Sequence, residues 1–511
     1  MELTLKKKNL GLYYKQADSG VTHEESSEMI VPDSLPDVGR IIDTDGTALL
    51  RSKECSDGKI TVGGIVRTNI AYEPEGGGTV RTLAAQIPFS TVILAANATH
   101  DSKVVANTRV SNVNATILNS RKLQITPEIL VNAGAYCPAE IAISNAPDDA
   151  DDQNQIEVLT STIELNPITD VRERNFNISD ECQLSSGAPM IGTLVHSSVD
   201  LQQDEYRVAG AKLIVKGTAV IKLVYIPADS IIPYSEDISV PFSEVIDMAD
   251  GEDNENKTFD ITLVPTGIYV QEQGGDYAKS VSVEIPATVQ VLVWKKITAN
   301  YVADAYSTVA ETENATETHQ VLCLDSEQTL KDTVRETLHT TGTPTSIICA
   351  RVYPCETVRA ADGYGVSFRV CVTYCTEEGR THTTSEKLQA FFAYPGLPSI
   401  DNITAEPYFG DAYATAAAGG IEVRIPVDLK VKIFSTREIN PVSSVMVNED
   451  SVKCNADAPS LTIIKVGSED TLWTLAKRYN STRKLICEAN SLCDTGSVAA
   501  GDVLIVAKRR G

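Results

Sequence analysis

The chain has 511 residues and a net charge of −25, with 42% apolar and 22% charged residues. That length exceeds one hydrophobic core and predicts three to five units at the usual ~100–200 residues each. The acidic balance excludes a general nucleic-acid binder, which needs clustered Lys and Arg to neutralise phosphates. No run of 18 apolar residues offers a membrane-spanning helix.

Residues 1–27 read as a lead-in with weak periodicity. Their start, MELTLKKKNLGLYYKQ, has a basic cluster but no apolar stretch of signal-peptide length, so a cytoplasmic location is expected. In EMIVPDSLPDVGRII (28–42), Pro32 and Pro36 beside Asp33 and Asp37 predict an extended, turn-rich entry.

A first module, 28–144, follows as short β-branched runs separated by SDG, EPEGGG and NATHDS, the punctuation of hairpins. Its stretch KITVGGIVRTNIAY (59–72) recurs as KLIVKGTAVIKLVY (212–225) at an offset of 153, and the same offset carries IPFSTVI (87–93) onto VPFSEVI (240–246). Gly64, Tyr72, Pro88, Phe89 and Ser90 thereby match Gly217, Tyr225, Pro241, Phe242 and Ser243, which predicts equivalent strands. The acidic stretch NAPDDADDQNQ (145–155) opens a linker and connecting strand, 145–180, before the second module, 181–310.

ETENATETH, within 311–320, is the next expected linker, exposed like the first. A third module, 321–447, is implied because VSVEIPATVQVLVW (281–294) aligns without gaps onto IEVRIPVDLKVKIF (421–434) at an offset of 140. Its YGVSFRVCVTYCT answers the repeated strand in type but lacks the glycine, and no Pro-Phe pair is recognisable in EKLQAFFAYPG. The expected architecture is mainly β: three related sandwich-like modules in tandem.

After a polar hinge, 448–460, the pattern changes at 461–507. LTIIKV reads as a strand, SEDTLWTLAKRYN as a helix with a face of Leu472, Leu475, Ala476 and Tyr479, TRKLICEAN as a second helix and GDVLIV as a closing strand. From residue 461 onward eight Lys or Arg face five Asp or Glu, giving +3 and leaving −28 for the rest.

No G-x-S-x-G, HExxH or GxxxxGK[ST] pattern occurs, and the glycine clusters EGGG and QGGD read as hairpin tips. His196 and His339 have no evident nucleophile or metal partner. The eleven cysteines, including Cys371 and Cys375 on one strand face, form no CxxC and read as reduced packing thiols. The expectation is therefore no catalytic residue, no metal and no cofactor.

DTLWTLAKRYN, the helix ending in EAN and the closing GDVLIV resemble the LysM module. One departure is Glu469, standing where that family usually has glycine before Asp470 and Thr471. With VPDSLPDVGRII and the repeated strand pairs, the order of domains resembles the SPOCS-domain proteins, including SipL-like spore-coat morphogenetic proteins. The resemblance implies a structural assembly protein in the mother-cell cytoplasm at the forespore surface, docked through LysM onto a coat morphogenetic ATPase or another coat protein. The partner surface it suggests comprises Glu469, Asp470, Thr471, Leu472, Trp473, Lys477, Arg478, Arg483, Lys484 and Asn490. A second reading stays open, in which LysM grips peptidoglycan or cortex sugars and the β array is a spacer; self-association also stays open.

Overall fold

The computed structural model describes residues 2–3, 5–147, 155–249, 251, 254–273, 278–394, 403–417, 419–452, 460–492 and 498–507. The first and last strands of every module pair with each other. Leu5–Glu24 runs antiparallel to Lys122–Pro147, Ile168–Gln183 to Ser280–Lys295, and His319–Leu338 to Gly420–Ile439. Each pair is widened by shorter strands, among them Lys103–Asn119 in the first module, Lys257–Pro265 in the second and Ile403–Phe409 in the third, and the first two pairs are bridged at Tyr13 and Ile168 into one sheet.

Against each of these lies a three-stranded meander, and the two sheets enclose the module's core. The meanders are Val38–Ser56, Lys59–Pro74 and Arg81–Leu94; Ile191–Ala209, Lys212–Pro227 and Tyr234–Asp247; and Pro344–Ala360, Gly363–Thr376 and Thr381–Ala393. The fold is thus mainly β with one topology used three times, and 59–72 and 212–225 are equivalent central strands. On the first of them Ile60, Val62, Val66, Ile70 and Tyr72 are buried, the row that strand alternation dictates.

Several recurrent residues have visible causes. The Tyr72 hydroxyl donates to the Pro36 carbonyl at 2.9 Å, and Tyr225 donates to Pro189 at the same distance. Tyr374 holds the matching place in the third module, where its hydroxyl accepts from the Thr341 N–H at 2.8 Å. A Cβ on Gly64 would lie 2.5 Å from the Leu49 carbonyl and 2.6 Å from the Phe89 ring, and Gly217 meets Gln202 and Phe242 in the same way. Glycine is needed there to seat the ring on the neighbouring strand. The third module solves it differently: Val366 stands at the glycine's place and Ala390 at the ring's, both buried, so no ring has to be seated and no glycine is needed.

Segments expected as connectors are largely strand. The lead-in supplies the first module's Leu5–Glu24, and Ile168–Gln183 of the expected connecting segment belongs to the second module's sheet. Residues 311–320 fall mainly in Ala310–Thr316, which pairs with Val442–Val452. Such ribbons have one wet face and therefore read as polar. The acidic stretch DDADD and most of the hinge lie outside the described residues.

Beyond the sandwiches these strands continue as three ribbons, two of them two-stranded and the third joined by Glu2–Leu3, which pairs with Val442–Val452. Leu5 and Leu12 with Ile141 and Ile143 come from the first, Ile156–Leu165 with Ile297–Ser307 from the second, and Val321, Cys323 and Ile439 with Ala310–Thr316 and Val442–Val452 from the third. Their apolar sides meet to form a stalk. Where stalk joins sandwiches, an extra residue kinks each first strand, at Gln16, Thr169 and Asp325. Opposite these bulges stand Tyr136, Trp294 and Phe434, which converge in one cluster, so the modules surround an approximate threefold axis.

A second convergence locks the meanders together. Bulges at Ile42, Val195 and Ile348 bring these side chains into one apolar cluster. Beside it Arg351 of the third module reaches Asp43 of the first at 2.6 Å, while Tyr353 donates to Asp45. His196 of the second module accepts from the Asn69 amide on Nδ1 at 2.8 Å and so presents its Nε2–H to Asp45. Burial pushes the Asp45 carboxyl up, but His196, Arg351 and Tyr353 outweigh it and hold the group well below the usual carboxylate range. His339, by contrast, is exposed beside Glu386.

Two outcomes test this architecture. Gly64→Ala should cost about 1–3 kcal/mol by overpacking, with partial recovery in Gly64→Ala/Phe89→Leu, read by denaturant unfolding. Arg351→Met should cost about 3–5 kcal/mol, because the buried Asp45 and the half-buried Asp43 lose their cation, and should uncouple the modules in thermal scans.

Candidate functional site

The C-terminal module is built from a strand, Leu461–Lys465, antiparallel to Val503–Ala507, and two helices, α1 (Leu472–Arg478) and α2 (Arg483–Asn490). Both helices start where a threonine can cap. Thr471 accepts from the Thr474 N–H while the Thr474 hydroxyl accepts from the Thr471 N–H, and Thr482 accepts from the Leu485 N–H. Ser491 closes α2 in the left-handed region, with φ 55°. Leu472, Leu475 and Ala476 pack on Ile464, Val466, Ile486, Leu504 and Val506, with Tyr479 at the margin, as the helical periodicity predicts.

Asp470 ties the loop before α1. It accepts from the Gly467 N–H at 2.9 Å and from Arg478 at 2.8 Å, and these bonds, the backbone one first, hold its carboxyl below the ordinary range. Glu469 is exposed and its backbone is not among the left-handed residues, which among the described residues of this module are Asn480, Ser491 and Gly501. The loop therefore accommodates a side chain there without backbone strain. Asn490 fastens α2 to the closing strand, donating to Ile486 and Ile505 carbonyls at 2.8 and 2.7 Å and accepting from the Ile505 N–H at 2.7 Å.

The remaining residues of the suggested partner surface divide by direction. Arg478 and Lys484 are exposed, Thr471 is a cap and Leu472 is core. Trp473 and Lys477 face the stalk of the same chain. The Trp473 indole N–H donates to Asp304 at 2.8 Å, and the Lys477 ammonium lies 2.7 Å from both Asp304 oxygens. Tyr306, fully buried, donates to the Ser481 carbonyl at 2.7 Å and meets the Trp473 ring edge-on at 4.8 Å, while the Arg483 guanidinium sits 5.5 Å from that ring. Asp304 and Tyr306 were not predicted from the sequence. They lie some 170 residues away in a strand with no distinguishing motif.

Where the three modules meet there is also a cavity of about 1350 Å³, lined by charges of both signs including Arg109, Asp260, Lys430 and Lys432 and by Tyr408 and Trp294. Among the described residues no group of three or more His, Cys, Asp or Glu could hold a metal ion, and no helix is long and apolar enough to cross a membrane.

Replacing Asn490 by Ala leaves the Ile505 N–H without its acceptor and should destabilise the C-terminal module by about 1–3 kcal/mol. Faster amide exchange across 460–507, with the sandwiches unchanged, is the expected reading.

No curated protein and no solved structure matches the chain. Residues 37–118 match the model of the SipL, SPOCS domain, a span covering the first meander and the edge strand Lys103–Asn119 but not the stalk. Residues 464–507 match the LysM domain. The chain accordingly fits the description of a SPOCS-plus-LysM protein, its SPOCS match falling on the first of three modules of common topology.

Proposed function

We propose that this is a non-enzymatic assembly protein of the spore envelope, working in the mother-cell cytoplasm at the forespore surface and recruited through its LysM domain to a coat morphogenetic ATPase. The two domain matches support the coarser part, a sporulation-related binding protein. The observation that carries the finer part is the seat of the LysM module on the stalk through Asp304 and Tyr306. The seat holds the module beside the three sandwiches with Arg478 and Lys484 exposed, so a partner that meets those cations arrives next to the scaffold. The glycan-binding alternative, favoured by the LysM match itself, treats the β array as a spacer and needs no such seat.

Arg478, which also holds Asp470, and Lys484 are exposed cations through which an acidic partner surface would be steered. Charge reversal at both should slow association with the purified ATPase roughly threefold to tenfold, and the loss should shrink as salt rises, since exposed charges act over ~10 Å at 0.1 M. Truncation at Ser460 should abolish the association. Surface binding of the full chain to the ATPase and to peptidoglycan sacculi decides between the readings: saturable binding to sacculi with none to the ATPase would overturn recruitment and favour the glycan role.

A further inference from the structure

We infer that the α1 face of the LysM module, formed by Trp473, Lys477, Ser481 and Arg483, is a binding surface for an extended acidic-aromatic segment, and that stalk residues Asp304 and Tyr306 occupy it in cis. The inference deepens the recruitment reading and rests on it for the identity of the outside competitor: a partner strand carrying a carboxylate and, two residues on, an aromatic ring.

The stalk strand Ile297–Ser307 is extended, so residues 304 and 306 point to the same side. Ala305 between them is buried the other way among the stalk ribbons. A register shift between Val302 and Asp304 aims the pair at the module. The face reads two different groups. A carboxylate is held by an indole N–H and an ammonium, each at 2.7–2.8 Å, and an aromatic ring is held edge-on by Trp473 while its hydroxyl meets a backbone carbonyl. Asn314 on the neighbouring stalk strand donates to Asp304 at 2.7 Å and to the Ala305 carbonyl at 2.8 Å, which holds the carboxylate from the stalk side.

The contact is also displaceable. Lys477 and Asp304 keep 43% and 25% of their side-chain surface in water, so an incoming carboxylate can reach the ammonium from the rim. On the stalk side its hydrogen bonds and apolar contacts centre on a narrow group, Leu159, Asp304 and Tyr306. Covalent linkage of the two parts supplies the effective concentration that keeps so small a contact closed.

The experiment uses the full chain, the variants Asp304→Lys and Asp304→Lys/Lys477→Asp, and as probe a peptide with the sequence of residues 299–309, ANYVADAYSTV. Amide exchange in α1 should quicken in the single variant and return toward the original rate in the double one, whose charges are exchanged. The peptide should bind the single variant at least tenfold tighter than the unaltered chain, whose face is filled, and a peptide with Asn in place of its Asp should not bind. Equal exchange in all three chains, or a released module that ignores the peptide, would overturn the inference. The coat ATPase is measured on the same chains: if it binds none of them while the peptide behaves as expected, the cis-occupied surface stands and the recruitment reading falls.

Discussion

Everything in this molecule depends on pairing the first strand of each module with its last over more length than a sandwich can cover. The surplus leaves each module as a two-stranded ribbon with one apolar side, and such a ribbon alone is marginal in water. Three of them can bury those sides only against one another, as Leu12, Leu165 and Cys323 do in a shared cluster. The stalk therefore forces the modules around an axis, and the bulges at Gln16, Thr169 and Asp325 turn each strand from stalk into sandwich. The buried cluster of Asp43, Asp45, His196 and Arg351 closes the opposite end of the same arrangement.

The repeat, the all-β class and the βααβ ending were legible because they rest on local patterns: strand alternation from Ile60 to Tyr72, a fixed offset, and a helix face of Leu472, Leu475 and Ala476. The stalk was not legible for a physical reason. A ribbon such as Ala310–Thr316, with Glu311, Glu313 and Ala315 toward water, has the composition of a linker, and only its partner Val442–Val452 makes it a strand. The same holds for the third module, where Val366 opposite Ala390 replaces the glycine and ring, so the Gly and Pro-Phe signature is gone while the buried pair remains.

The candidate site divides in the same way. Sequence pattern found the module and the residues that fold it, and it singled out Trp473 and Lys477, but it could not supply Asp304 and Tyr306. Two recognition groups on one extended strand need only a spacing of two, which occurs by chance throughout a β protein. Their meaning comes from tertiary placement, with Tyr306 entering the core of the LysM module alongside Leu159.

Bulk charge does not explain why the module sits where it does. A +3 domain beside a −28 body is attracted from every direction, yet at physiological salt that attraction decays within ~8 Å, so only groups at contact decide orientation. At contact the selection is geometric. Asp304 presents a carboxylate to a donor pair whose atoms are fixed by the capped helix α1, and Tyr306 fills the space beside the Trp473 ring. A surface cation such as Lys484 gains nothing comparable from the acidic body. A carboxylate and a phenol spaced two residues apart thus determine which face of the module is covered.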